Sequence, residues 1–333
     1  MIPETFQSLL IDRDAEGRAR GQLRAVSATT LDPGEVTIRV RWSSINYKDA
    51  LAATGAGKII RRFPCIGGID LAGEVVASED ARFVAGDEVL ATSFDLGVSH
   101  HGGYSPYARV PAKWVLHRPA GLTLFETMAL GTAGFTAALA IQRMEDNGLA
   151  PEQGPVVVTG ATGGVGGLAI DMLARLGYHV VALTGKPAES EHLKSLGAAE
   201  VMPTASIDHA KVRALEGSRW AGAVDNVGGP ILHWLLATMQ QAGTVASIGN
   251  AASAKLETTV FPFILRGVSL LGVDSGYIGF PMRQRLWDRL AGDLKPAHLH
   301  RITRTIGLQA LPAAFDDYIQ GRAKGRTVVA IDD

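Results

Sequence analysis

The residues best suited to chemistry lie in one run, Val156-Val-Val-Thr-Gly-Ala-Thr-Gly-Gly-Val-Gly-Gly. It opens with three β-branched apolar residues, the mark of a buried strand. Glycines follow at 160, 163, 164, 166 and 167, and then Val165, Leu168, Ala169, Met172, Leu173 and Leu176 recur at helical spacing. Strand, glycine-rich turn and helix is the arrangement a dinucleotide requires. The turn lets backbone N–H groups approach the pyrophosphate, and the helix N-terminus offers it partial positive charge. The best register of the fingerprint is Ala161-Thr-Gly-Gly-Val-Gly166, so Ala161 stands where a full G-x-G-x-x-G has its first glycine. The bland alternative is a tight turn of any parallel α/β protein. A second apolar strand, residues 179–183, ends in Thr184-Gly185-Lys186. A carboxylate there would hold the ribose 2′-OH of NAD; a hydroxyl, a turn residue and a cation suit a 2′-phosphate. The run therefore points to NADPH, with Lys186 as charge partner rather than a merely solvated lysine.

The elements around this run are those of a two-domain globular protein. A chain of 333 residues suffices for two cores, and its net charge of −1 gives no global field for nucleic acid or an anionic membrane. The single Cys65 excludes an intramolecular disulfide and a cysteine-rich zinc site. Residues 1–14 carry no signal-peptide pattern, and the apolar segment 128–141 is short for a bilayer and reads as a buried helix. A cytoplasmic location is expected.

Along the first third, short segments with period-two alternation, such as Val36-Thr-Ile-Arg-Val-Arg-Trp, are bounded by glycine and proline. They predict a compact β-barrel-like domain, with a short helix opening near Asn46. Helices are predicted over 125–130 and 134–143, broken near Gly131. After the nucleotide unit, strands and helices alternate, which predicts a doubly wound parallel sheet with residues 268–273 at its edge. The tail, with strands at 302–306 and 326–331 around a helix, is expected to return to the first domain. The expected division is 1–125 with 295–333 as the barrel domain and 126–294 as the nucleotide domain.

This order of domains resembles the medium-chain dehydrogenase/reductase superfamily, over essentially the whole chain. Asn46-Tyr-Lys-Asp-Ala-Leu, Gly68-Ile-Asp-Leu-Ala-Gly, Gly131-Thr-Ala-Gly-Phe-Thr, Thr159-Gly-Ala-Thr-Gly-Gly-Val-Gly and Pro262-Phe-Ile-Leu-Arg-Gly-Val resemble its zinc-independent acrylyl-CoA reductase branch, related to the quinone oxidoreductases. The resemblance implies a GroES-like β-barrel catalytic domain plus a Rossmann domain, and NADPH-dependent reduction of an activated C=C bond. It implies cofactor contacts at Tyr47, Thr132, Thr162, Gly163, Gly164, Val165, Thr184, Gly185, Lys186, Thr204, Asn250, Ile264, Ser275 and Arg326. The branch pattern has Arg at the positions of Lys186 and Thr204, so the grip on a 2′-phosphate is thinner here. It also implies an isologous homodimer, since an apolar edge strand such as 268–273 is usually covered, here by its own copy.

The zinc alcohol dehydrogenases of the superfamily place metal ligands in the neighbourhoods that hold Asn46 and Ile69 here, so no metal is expected. An enoyl thioester is already polarised: its carbonyl makes the β carbon electrophilic, and charge develops on the thioester oxygen. Tyr47 is the candidate donor or proton source and Asn46 its orienting residue. Alternatively Tyr47 packs on the nicotinamide and water supplies the proton. Lys58, Arg61 and Arg62 are candidate contacts for CoA phosphates, or a solvated charge run. Asp49 and Asp70 are read as structural. The expected reaction is reduction of a short α,β-unsaturated acyl-CoA such as acrylyl-CoA. The alternatives are a quinone or enone oxidoreductase and a non-catalytic NADPH-binding sensor.

Overall fold

The computed structural model of the chain describes residues 2–331. In chain order the first elements are β1 (Thr5–Arg13), β2 (Ala19–Ser27), β3 (Val36–Ile45), α1 (Tyr47–Thr54), β4 (Cys65–Ile66), β5 (Asp70–Ser78), β6 (Glu88–Thr92), β7 (Tyr107–Val110), β8 (Leu116–His117) and α2 (Leu124–Asp146). The alternating series follows: β9 (Val156–Thr159), α3 (Gly164–Arg175), β10 (Val180–Thr184), α4 (Ser190–Ser195), β11 (Glu200–Pro203), β12 (Trp220–Asp225), α5 (Gly229–Thr238), β13 (Met239–Ser247), α6 (Phe261–Arg266) and β14 (Ser269–Gly272). The chain closes with α7 (Phe280–Ala291), α8 (Leu299–Ile302), β15 (Thr303–Gly307), α9 (Leu311–Ile319) and β16 (Arg326–Ala330).

These elements form two compact units, one of Met1–Thr132, Gly276–Arg285 and Leu299–Asp333, the other of Ala133–Ser275 and Leu286–His298. The division falls inside α2, next to Gly131. There φ is 51° and ψ is −154°, a conformation open to glycine and outside the helical region. The break expected near Gly131 is thus a kink between two helical stretches. By length and composition α2 could cross a bilayer, but 83% of its most apolar window is buried in protein, as in a core helix.

The first unit contains a large sheet in the order β15-β16-β3-β5-β6-β8, with β7 also on β3, and a small sheet β2-β1-β4. β16 runs antiparallel to β3, pairing Thr327 with Ile45 and Ala330 with Trp42, so the tail does return to the N-terminal strands. Alternation along β3 sends Ile38 and Val40 into a core shared with Leu9, Leu71, Val89, Phe315 and Val329, while Arg39 and Arg41 stay partly exposed.

The second unit holds six strands in the order β11-β10-β9-β12-β13-β14, each paired in parallel with its neighbours. The first strand in sequence lies mid-sheet and the order reverses at it, which is the doubly wound Rossmann arrangement. The three valines of β9 are fully buried, as a central parallel strand covered on both faces requires. β14 is an edge strand.

Candidate active site

In the second unit, the residues singled out from the sequence follow the C-terminal ends of the strands. Thr162 and Gly163 lie in the turn between β9 and α3, Gly164 and Val165 open α3, and all four are partly exposed. Gly163 is the N-cap of α3 and brings no side chain to cap it, which leaves the first turn's amides open to an anion. A Cβ on Gly166 would lie 2.4 Å from the carbonyl oxygen of Gly160, so this close approach admits glycine alone. Beneath the turn, the Thr159 hydroxyl donates to Asp225 Oδ1 (2.8 Å) and accepts from the Asn226 amide (2.9 Å), while Asn226 Nδ2 donates to the Thr159 carbonyl (2.7 Å). These bonds tie the ends of β9 and β12 together. The cradle fits a pyrophosphate.

Thr184 closes β10, and its hydroxyl accepts the backbone N–H of Lys186 at 3.0 Å, folding Gly185 and Lys186 into a bend. Thr184 itself is buried. Thr204 comes directly after Pro203, which pairs with Thr184, so β10 and β11 end in register, with Lys186 two residues beyond one end and Thr204 one beyond the other. Asn250 is exposed just beyond β13, and Ser275, just beyond β14, accepts a hydrogen bond from Thr136 (2.7 Å). Ile264 differs from these: it lies on α6, between strands, and is 68% exposed.

In the first unit, Asn46, Thr132 and Arg326 meet around a carboxylate that no sequence pattern marked as central. Asp70 is fully buried. Its Oδ2 accepts from the Ser44 hydroxyl (2.7 Å), Asn46 Nδ2 (2.7 Å) and the Thr132 amide (2.9 Å), and its Oδ1 from the Thr132 hydroxyl (2.5 Å). Arg326 approaches Asp70 Oδ2 at 4.0 Å and donates to Ser44 Oγ (2.8 Å), Asn46 Oδ1 (3.1 Å) and the carbonyls of Ile45 and Ala129 (3.0 Å each). Arg326 was expected among the cofactor contacts. At 1% exposure, with its guanidinium enclosed by these acceptors, it instead underlies Asn46 and Thr132. Ser44 was missed, since a lone serine within a strand carries no local signal.

Asn46 caps α1, and Asp49 completes a capping box by accepting the Asn46 backbone N–H at 2.8 Å. Asn46 therefore fixes Tyr47 through the backbone, because its own amide is occupied by Asp70 and Arg326. The Tyr47 side chain is 49% exposed, and its hydroxyl has no hydrogen-bond partner among the described residues.

Burial pushes the Asp49 carboxyl up from 3.8 to about 7; the nearby Asp70 adds to the rise, and N–H donors from Asn46 and Ile69 oppose it. Below about pH 4 this carboxyl is protonated in the folded and unfolded chain alike. Between there and pH 7 the folded protein keeps a proton that the unfolded chain releases. Asp49 therefore makes stability fall as pH rises through this window and level off above it. Urea midpoints measured from pH 5 to 8 should fall less steeply in Asp49→Asn than in the wild type; parallel slopes would contradict this assignment.

Two of the three candidate rim cations have acidic partners. Arg62 makes a two-pronged pair with the buried Asp32 (2.6 and 2.5 Å), and Arg61 lies 3.7 Å from Asp95. Lys58 is exposed. The residues also do not fit a catalytic zinc. Asn46 and Ile69 occupy the relevant neighbourhoods, and the thiol of the buried Cys65 is pushed up to about 12 by desolvation. Among the described residues no three His, Cys, Asp or Glu side chains are grouped as ligands.

A doubly wound nucleotide unit joined to a barrel unit with a buried polar site defines a nicotinamide-dependent oxidoreductase. Residues 32–120 match the alcohol dehydrogenase GroES-like domain and residues 164–292 the zinc-binding dehydrogenase family. The acrylyl-CoA reductase AcuI of Ruegeria pomeroyi is 44% identical over 328 residues, covering 98% of this chain and 99% of that one. YhfP of Bacillus subtilis, which carries a provisional quinone oxidoreductase name, is 47% identical over 327 residues, with coverages of 98% and 99%; its crystal structure has NAD bound and superposes with a TM-score of 0.94. The Escherichia coli YhdH structure, with bound NADPH, is 45% identical with a TM-score of 0.95, covering 98% of this chain and all of that one. The chain belongs to the quinone oxidoreductase family of the medium-chain dehydrogenases/reductases.

Proposed function

We propose that the protein is a cytoplasmic, NADPH-dependent reductase of the C=C bond of a short α,β-unsaturated acyl-CoA, converting acrylyl-CoA to propionyl-CoA without a metal. The observation that carries this reading is the replacement of metal-donor side chains by an amide and an aliphatic residue that do not assemble a metal site. Asn46 and Ile69 stand in the metal-ligand neighbourhoods, and Asp70 is wholly engaged by Ser44, Asn46 and Thr132. Such a site suits an acceptor that is already polarised. Its likeness to AcuI over 98% of the chain supports the acyl-CoA class.

When bound, NADPH supplies the hydride for the β carbon. The stretch from Thr162 to Val165 binds the pyrophosphate, and Lys186 with Thr184, Gly185 and Thr204 binds the adenosine ribose phosphate. Tyr47, held at the start of α1 by Asn46, donates a hydrogen bond to the thioester oxygen as charge develops there, and is the candidate proton source for the α carbon. Lys186→Ala should raise the KM for NADPH about tenfold and leave that for NADH little changed. Equal effects on both would remove Lys186 from the phosphate site.

The second reading, a quinone or enone oxidoreductase, is favoured by the 47% identity with YhfP. NADPH oxidation measured against acrylyl-CoA, enones and quinones separates the two, and no turnover with any acceptor would favour a cofactor-binding sensor. We extend the reading to a homodimer paired along β14; a monomer in light scattering at micromolar concentration would contradict that part.

A further inference from the structure

The turn that follows β6 carries two consecutive residues in the left-handed region, neither of them glycine: Ser93 at φ 64° and Phe94 at φ 53°. Such backbone is costly for a residue with a Cβ and persists only where the surroundings over-determine it. Its main clamp is Arg283 of α7, one of the largest fully buried side chains in the protein. The Arg283 guanidinium donates to the Thr92 carbonyl (3.3 Å), the Thr92 hydroxyl (3.0 Å) and the Gly276 carbonyl (3.3 Å). The Gly276 carbonyl also takes the backbone N–H of Phe94, at 3.3 Å. The guanidinium carbon lies 4.3 Å from the centre of the Phe94 ring, whose other neighbour is Trp114, stacked at 5.5 Å and 8°. The turn is thus held on its flank by the arginine and on its ring by a cation–aromatic–aromatic stack.

What the turn presents is a hydroxyl. Ser93 Oγ lies 2.9 Å from Thr132 Oγ1. Thr132 gives its own hydroxyl proton to Asp70 Oδ1 at 2.5 Å, so Ser93 is the donor to Thr132. A hydrogen-bonded chain therefore runs from Ser93 through Thr132 to Asp70. Burying a charge is costly, and this one holds a strained turn whose serine hydroxyl reaches Thr132.

We propose that Arg283 and Ser93 are positioning residues of the reductase: Arg283 holds the strained Ser93–Phe94 turn so that the Ser93 hydroxyl fixes the rotamer of Thr132 in the site. The proposal rests on the reductase reading given above. It requires that Arg283 act on turnover through Ser93, which a purely structural arginine would not do.

A double-mutant cycle tests this. Ser93→Ala and Arg283→Met should each lower kcat about tenfold while the dissociation constant for NADPH stays within twofold of the wild type. The double variant should be no slower than Arg283→Met alone. Arg283→Lys, which keeps a donor within reach of Thr92, should recover part of the loss. If Arg283→Met does not fold, Thr92→Val takes its place in the cycle. Losses that multiply in the double variant, or wild-type kcat in either single variant, would overturn the proposal. The cycle is run with whichever acceptor the wild type reduces. Failure with acrylyl-CoA alone then counts against the acyl-CoA reading and leaves the cycle readable on a quinone.

Discussion

Replacing Arg326 with methionine should lower the stability of the protein by about 3–5 kcal/mol, the usual cost of removing one partner from a buried charge pair. The kink at Gly131 interrupts the helical hydrogen-bond ladder of α2. Arg326 takes up the carbonyl of Ala129 at 3.0 Å and that of Met128 at 3.4 Å. It also reaches Asn46 Oδ1 and Ser44 Oγ, and it is the cation beside the fully buried Asp70. Methionine fills similar space and supplies no donor, so the carboxylate is left buried without its cation. Urea unfolding followed by tryptophan fluorescence should show a lower midpoint, with Arg326→Lys in between because it keeps the charge and loses the fork. NADPH affinity measured on the folded protein should change little. A wild-type midpoint with weakened NADPH binding would return Arg326 to the cofactor contacts.

Gly131→Ala is the second large effect, because the added methyl group would enter the hydrogen-bonded network of the site itself. A Cβ at this position would lie 2.6 Å from Asp70 Oδ2, 2.7 Å from Arg326 Nη2 and 2.8 Å from Ser44 Oγ. None of these atoms can withdraw, because each is held by the others inside the network. The backbone there is also open only to glycine, so strain and overpacking together should cost about 2–5 kcal/mol. Thr132 is the next residue, and Asn46 shares the displaced carboxylate. A fall in kcat of about ten- to a hundredfold is expected in the protein that remains folded. Steady-state kinetics below the unfolding transition check this, and an alanine variant with wild-type kcat would show that the network does not position the site.

The nucleotide half was legible in the sequence because its chemistry is local. A valine strand, a glycine turn and an amphipathic helix are contiguous, and the Thr-Gly-Lys ending of β10 is read from three adjacent letters. The return of β16 to β3 and the edge position of β14 followed from the same alternation of short apolar segments. The barrel half was legible only in part. The partners of Asp70 come from the end of β3, the N-cap of α1, the kink of α2 and the start of β16, and no pattern in any one segment announces the others. An arginine at the head of a strand reads as exposed, and only tertiary packing turns Arg326 inward. Gly131 was read as a helix break, but its second role, leaving room for a carboxylate, concerns atoms distant in sequence. Ser93 and Phe94 gave no signal at all, since left-handed backbone is marked in a sequence by glycine or asparagine. Arg61 and Arg62 formed a visible charge run whose partners, Asp95 and Asp32, lie far off along the chain.

The central claim is a transfer to carbon, and isotope labelling addresses it most directly. With NADPH dideuterated at C4 of the nicotinamide and acrylyl-CoA as acceptor, mass spectrometry should find one deuterium in propionyl-CoA, at the β carbon, and a solvent proton at the α carbon. Oxidation of NADPH by a quinone with no labelled propionyl-CoA formed would contradict the account.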